Sequence, residues 1–191
     1  MSDGASIRSI LDFWLLPLSD PGYGKARKLW WNGTPELDSE IKDKFGTLLE
    51  MAAAGQLDHW ANSPDGALAL ILLCDQFSRN IHRRTAQAFA TDAKAREVAR
   101  IALSRFYPAA FPHDVRLFFY MPFQHSEHLG DQELCCALFQ ALGNADNDKH
   151  ATDHRDIVAK YGRFPHRNDV LGRTSTPEEL DYLKNANRYG Q

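Results

Sequence analysis

Residues 63–79 read Ser-Pro-Asp-Gly-Ala-Leu-Ala-Leu-Ile-Leu-Leu-Cys-Asp-Gln-Phe-Ser-Arg, a run that combines a helix start with an apolar interior. Ser63 stands at an N-cap position, Pro64 at the first helical position, and Asp65 in the first turn, where an acid favours the helix dipole. The apolar residues 67–74 that follow are too few to span a bilayer. The run therefore predicts a buried helix of a globular protein.

Two further stretches begin in the same way, Thr34-Pro35-Glu36 and Thr176-Pro177-Glu178. Thr176 also forms a capping-box pattern with Glu179. Elsewhere, apolar residues recur at helical spacing. The further helices predicted on this basis cover residues 7–15, 37–49, 86–106, 132–142 and 151–161, while residues 144–149 are predicted as a polar connection.

The composition supports the same fold class. The chain has 191 residues, and its 22 Leu and 23 Ala stand against only 7 Ile and 4 Val. Leu and Ala are good helix formers, whereas β-branched residues favour strands. No Pro-, Gly- or Ser-rich linker divides the chain, so we expect a single all-α domain over residues 1–191, built from antiparallel helix pairs.

Charge and cysteine content bound the function. The formal net charge is −3, and a chain that binds nucleic acid usually has a basic balance. Cys74, Cys135 and Cys136 lie among apolar residues without metal-ligand spacing, which is typical of thiols in a reducing compartment. The N-terminus carries no secretory signal pattern. These observations predict a cytoplasmic protein with no nucleic-acid or membrane partner.

The first of three unusual segments continues the apolar run as charged sequence. Asp75, Arg79 and Arg83 follow one another at a spacing of four residues, and Gln76 and Asn80 flank them. Charged groups therefore extend an apolar stripe into the interior. Two interpretations stay open: a buried structural network based on the Asp75–Arg79 pair, or a ligand site.

The second segment, residues 116–128, places an aromatic stretch directly before two histidines and an acid. His125 and His128, with His150 and His154 further on, raise the question of a metal site. The spacing lacks the His-Glu-x-x-His pattern, and we predict neither a metal nor another cofactor. A pair of His125 with Glu127 facing a polar pocket is the functional interpretation. The binding candidates in this segment are Arg116, Tyr120 and His125, and the catalytic candidates are His125 and Glu127.

The third segment, residues 161–176, is rich in arginine. Arg guanidinium groups suit carboxylate and phosphate oxygens, and the glycines in the segment allow close backbone approach. A solvated loop with scattered arginines is the alternative. The binding candidates here are Arg163, His166, Arg167 and Asn168.

These segments carry a resemblance to a known family. Residues 70–80 (LILLCDQFSRN), 119–127 (FYMPFQHSE) and 161–168 (YGRFPHRN) closely resemble the family catalogued as domain of unknown function 924, and residues 11–14 and 171–176 match as well. The resemblance implies a cytoplasmic protein of mainly bacterial distribution. It also implies a helical fold similar to tetratricopeptide-repeat proteins, with helix pairs stacked in a right-handed superhelix. It implies no established activity and no cofactor.

Two hypotheses about function follow. In the first, the three segments converge on one pocket that binds a small molecule bearing a phosphate or carboxylate, with His125 as an acid or base if a reaction occurs. In the second, the protein is an interaction module that holds a protein partner, and its charges form a structural network. The sequence favours the first hypothesis and leaves open whether the protein is an enzyme.

Overall fold

The computed structural model describes residues 2–186, and these contain helices, turns and loops but no β-strand. The all-α fold class is thereby confirmed. No helix within the described residues is both long and apolar enough to cross a membrane. The α-helices are α1 (Asp3–Leu15), α2 (Pro35–Ala53), α3 (Pro64–Ile71), α4 (Ser78–Ile81), α5 (Asp92–Ser104), α6 (Leu117–Gln124), α7 (Leu129–Leu142), α8 (Ala145–Tyr161) and α9 (Pro177–Leu183).

The three predicted helix starts are confirmed with their caps. Thr34 Oγ1, Ser63 Oγ and Thr176 Oγ1 each accept a hydrogen bond of 3.2 Å from a backbone N–H of the first turn. The N–H of Thr176 in turn donates to the Glu179 carboxylate, which completes the capping box. These caps satisfy donors that a helix N-terminus otherwise leaves unpaired.

The apolar run forms the centre of the core. Residues 67–74 have no accessible surface at all, and they pack in one hydrophobic cluster whose members extend from α1 to α8. Two of the three cysteines, Cys74 and Cys135, are buried free thiols within it. A smaller cluster around Phe164 covers the C-terminal part of the chain. The superhelical stacking that the family resemblance implies stays a prediction.

A π-helical segment, Leu72–Phe77, joins α3 to α4 without a break. At its end, the N–H of Ser78 donates to the carbonyl of Leu73, five residues back instead of four. Asp75 and Gln76 lie within this segment, and both are buried. Segments of this kind are rare in helices and are frequent at functional sites.

Two predicted boundaries are wrong. Residues 86–106 do not form one helix: a 3₁₀ helix, Ala86–Phe89, is followed by a turn before α5. Tertiary hydrogen bonds hold this break, since Ser78 Oγ donates to the carbonyl of Ala88 at 3.0 Å and Thr91 Oγ1 donates to that of Cys74 at 2.7 Å.

Residues 144–149 are not a connection either. Asn144 is the N-cap of α8, and its side chain accepts from the N–H groups of Asp146 and Asn147 at 3.1 Å. The short step from α7 through Gly143 and Asn144 to α8 makes the two helices antiparallel neighbours.

Gly66 tests the packing at the start of α3, and Gly46 in α2 serves as its control. A Cβ at Gly66 would lie 2.3 Å from the backbone oxygen of Trp60, whereas a Cβ at Gly46 in α2 would meet nothing closer than 3.9 Å. We expect Gly66→Ala to lower the free energy of unfolding by about 1–3 kcal/mol. We expect Gly46→Ala to raise it by up to about 1 kcal/mol, because alanine favours a helix. Urea denaturation of both variants checks this, and equal effects would contradict the close approach at Gly66.

Candidate functional site

A cavity of about 530 Å³ opens beside the π-helical segment and α4, and α6 and α8 also contribute to its wall. One part of its lining is apolar and aromatic: Leu29, Trp30, Trp31, Leu117, Met121 and Phe139. The other part is polar: Asn32, Gln76, Arg79, Asn80, Arg83, Gln124, His125, Asn147, His150 and His154. A neighbouring cavity of about 340 Å³ shares Trp31, Leu117, Asn147 and His150 with the first.

Asp75 lies behind the polar wall with none of its surface exposed. Its Oδ1 is 2.7 Å from His125 Nδ1 and 3.1 Å from Arg79 Nη1, and Gln76 Nε2 donates to its Oδ2 at 2.5 Å. Burial by itself raises the pKa of Asp75, but His125 and Arg79 outweigh it and hold this pKa well below its usual range. The carboxylate is therefore ionised in the interior.

His125 presents a neutral ring to the cavity. Burial lowers its pKa, and Arg79 adds to this effect, although Asp75 opposes both. Because Nδ1 faces a carboxylate oxygen, it carries the ring proton, and Nε2 is left with its lone pair. The predicted partner of His125 is wrong: the ring pairs with Asp75, not with Glu127.

Glu127 serves a different contact. Its Oε1 accepts from the N–H of Phe164 at 2.8 Å, and both its oxygens accept from Arg173 at 2.7 and 2.9 Å. It thus ties the loop before α7 to the C-terminal segment, and it does not line the cavity.

Arg79 and Arg83, the two arginines named in the first segment, each have a carboxylate partner. Arg79 forms two hydrogen bonds with Asp92, of 2.9 and 3.1 Å, besides its contact with Asp75. Arg83 forms two with Asp38, of 2.7 and 2.9 Å, and Asn80 donates to the same carboxylate at 2.7 Å. These residues therefore form a network of ion pairs, and Arg79, Asn80 and Arg83 of that network also line the cavity.

The third segment reaches this network through Arg167. Its Nη1 donates to the carbonyl of His125 at 3.0 Å and lies 3.7 Å from Asp92. Its guanidinium lies between the rings of Phe89 and Phe164, 4.6 and 4.5 Å from their centroids. Burial lowers the pKa of Arg167 to about 10, so it stays charged at neutral pH.

The other candidates of that segment lie outside the cavity lining. Arg163 binds Glu179 through two hydrogen bonds of 2.7 and 2.8 Å, and Asn168 donates to Glu179 at 3.2 Å. His166 is largely buried near Arg167, and burial lowers its pKa to about 4. The first and second segments therefore meet directly, whereas the third meets them through Arg167 and not through Arg163.

Two candidates of the second segment are also placed elsewhere. Tyr120 is buried with its ring edge-on to Phe139, at 5.7 Å between centroids. Arg116 donates through Nε to the carbonyl of Phe111 at 3.1 Å. Neither side chain lines the cavity.

Sequence reasoning missed several residues of the site. Gln124 and His154 belong to it, and they lie 3.3 Å apart. His154 Nδ1 donates to the carbonyl of His150 at 2.8 Å, and burial lowers its pKa to about 3. In the sequence, the spacing of His150 and His154 suggested only metal ligands. Within residues 2–186, no three His, Cys, Asp or Glu side chains are grouped so that they could hold a metal ion.

These features define a class: an all-helical protein with a buried ion network behind a cavity of mixed polar and aromatic lining. The chain belongs to the family described as "Bacterial protein of unknown function (DUF924)", whose family model matches residues 10–187. A solved structure of a protein of unknown function from Agrobacterium tumefaciens is similar over 97% of this chain and 100% of its own, with 40% identity and a TM-score of 0.87. A comparison with curated proteins finds no match.

The histidines in and beside the site predict a pH dependence of stability. His125, His154 and His166 all have folded-state pKa values below the unfolded value of about 6.5. Their neutral forms therefore stabilise the fold fully above about pH 6.5, and this contribution is lost as the pH falls towards the folded values. We expect the free energy of unfolding to fall between pH 6.5 and pH 4, by up to about 1.4 kcal/mol per pH unit for each histidine.

Urea denaturation of the wild type and of His154→Gln across this range measures the effect. The variant keeps a donor for the carbonyl of His150 but cannot take up a proton, so its curve should be shallower. Parallel curves for the two proteins would show that His154 is not buried in its neutral form.

Proposed function

We propose that the protein binds a small anionic molecule, bearing a carboxylate or a phosphate, in the 530 Å³ cavity. One observation carries this proposal. The described lining contains two arginines, three histidines and several amides, but neither Asp nor Glu. An anion in this cavity therefore faces hydrogen-bond donors and no carboxylate of the described lining, while Asp114 and Asp146 line the neighbouring cavity.

The carboxylates that neutralise the arginines support this arrangement from behind. Asp38, Asp75 and Asp92 contact Arg79 and Arg83 without lining the cavity. They fix the guanidinium groups in place, which lowers the entropy that a ligand would otherwise lose in ordering them. An anion gains charge-assisted hydrogen bonds there, and these are stronger than bonds between neutral groups.

The apolar part of the lining limits the ligand further. Trp31, Met121 and Phe139 face the same space as the arginines. Mixed linings of this kind suit molecules with an apolar body and one polar end. We therefore propose an organic anion as the ligand, in a protein that works in the cytoplasm as the sequence predicts.

Benzoate is a suitable probe, and benzamide is its neutral counterpart. At ten times its dissociation constant, benzoate should stabilise the protein by about 1.4 kcal/mol, which raises the melting temperature by roughly 3–6 °C. Benzamide should raise it less. Thermal denaturation at fixed ionic strength measures both, since salt screens charges without specific binding.

Asn147→Asp tests whether the absence of acids from the described lining matters. The change adds a negative charge to the cavity wall in the first turn of α8, where an acid favours the helix. It should weaken benzoate binding about tenfold. Gln140→Glu, an equal charge change on the exposed face of α7, should leave binding unchanged. Equal effects of both variants, or no stabilisation by benzoate at all, would favour a structural network or a protein-binding role instead.

A further inference from the structure

The contact between Asp75 and His125 has the geometry of a catalytic pair. Asp75 is wholly buried, and its Oδ1 lies 2.7 Å from His125 Nδ1. A carboxylate in this position fixes the ring orientation and its tautomer, and it stabilises the imidazolium that forms when the ring takes up a proton. Gln76 and Arg79 hold the carboxylate in turn, so the pair is rigid.

The other ring nitrogen of His125 faces the cavity without a partner. The ring lines the cavity, and Nε2 makes no hydrogen bond with any described residue. Among the described residues, several polar side-chain atoms have neither a partner nor contact with solvent, but Nε2 is not one of them. It is therefore accessible from the cavity. A general base must reach the proton that it removes, and Nε2 meets this condition.

The lining also limits the choice of nucleophile. Among the described residues that line the cavity there is no Ser, Thr, Cys, Lys or Tyr, and no Asp or Glu. Nucleophilic catalysis by a hydroxyl, thiol, amine or carboxylate therefore has no side chain here. Apart from the imidazoles themselves, water is the nucleophile that His125 can activate, and we take water as the nucleophile.

We propose that the protein hydrolyses a carboxylic ester of an organic anion, with His125 as the general base and Asp75 as its positioning residue. This inference rests on the proposed function. His125 Nε2 takes a proton from water as the water oxygen forms a bond to the ester carbonyl carbon. The bond from that carbon to the leaving oxygen then breaks, and the proton on Nε2 passes to the leaving alcohol. The products are a carboxylic acid and an alcohol, and the histidine returns to its neutral form.

The charges favour a carbonyl over a phosphoryl centre. Phosphoryl transfer needs cations that neutralise the charge spread over the phosphate oxygens. Arg79 and Arg83 each already give two hydrogen bonds to a carboxylate. Their remaining N–H groups can still donate hydrogen bonds to one carboxylate, and a neutral ester carbonyl needs less neutralisation than a phosphoryl group does.

The groups around His125 set the pH range of the reaction. Asp75 and Arg79 face it from the π-helical segment and α4, Arg167 and His166 from the segment after α8, and His154 from α8. Burial, Arg79 and Arg167 lower the pKa of His125, and Asp75 opposes them without reversing the shift, so the ring is a free base at neutral pH. Turnover should therefore rise with pH through a value below about 6.5 and level off above it.

The test uses 4-acetoxybenzoate, which carries a carboxylate, an aromatic ring and an ester, with its product 4-hydroxybenzoate as the binding probe. We expect saturable hydrolysis by the wild type and a lower kcat/KM for phenyl acetate, which lacks the carboxylate. His125→Gln should lower kcat at least 100-fold while calorimetry shows 4-hydroxybenzoate still bound. His59→Gln is the matched control, since His59 forms an equally short pair with Asp3, 2.7 Å, on the surface.

The outcomes separate the two proposals. Binding of 4-hydroxybenzoate without hydrolysis, or with equal hydrolysis by wild type and His125→Gln, overturns the catalytic inference and leaves the proposed function standing. No binding of 4-hydroxybenzoate overturns both. If His125→Gln does not fold, the pH profile of wild-type kcat decides, and a profile without an inflection below about pH 6.5 overturns the inference.

Discussion

The carboxylate of Asp75 is the constraint on which the rest of the site depends. An ionised group without water around it is costly unless partners neutralise and hydrogen-bond it. His125, Arg79 and Gln76 do this for Asp75, and Arg79 then requires Asp92 at the start of α5. One buried charge thus fixes how α4, α5 and α6 meet, and the cavity lies where their polar side chains end.

The sequence predicted the fold more fully than it predicted the site. Caps such as Thr34 and Thr176 identify helix starts because they act locally, within one turn. The Asp75–Arg79 pair was also predictable, since its members are four residues apart. Asp38 could not be assigned as a partner, because it stands in the first turn of a predicted helix, where the dipole alone explains an acid. Asp92 could not be assigned either, because the sequence placed it inside one helix over residues 86–106, whereas α5 begins there. Their contacts depend on packing between distant parts of the chain.

The π-helical segment shows a further limit of pattern reading. Between residues 67 and 77 every side chain is buried, so the run has no polar face whose spacing could reveal a wider turn. Asp75 and Gln76 were recognisable in the sequence as polar residues that continue an apolar run. The π-helical backbone that carries them was not recognisable. In the same way, the break before α5 depends on hydroxyls of Ser78 and Thr91 that bond to carbonyls elsewhere in the fold.

The position of Arg167 between Phe89 and Phe164 has a consequence for the history of the family. A flat cation held by two rings and bonded to the carbonyl of His125 cannot be exchanged for lysine, whose rounded ammonium group stacks poorly and has no fork of donors. Loss of either ring would leave a buried cation with one open face. Homologous proteins should therefore keep these three residues together or replace them together, so that positions 75 residues apart evolve as a unit.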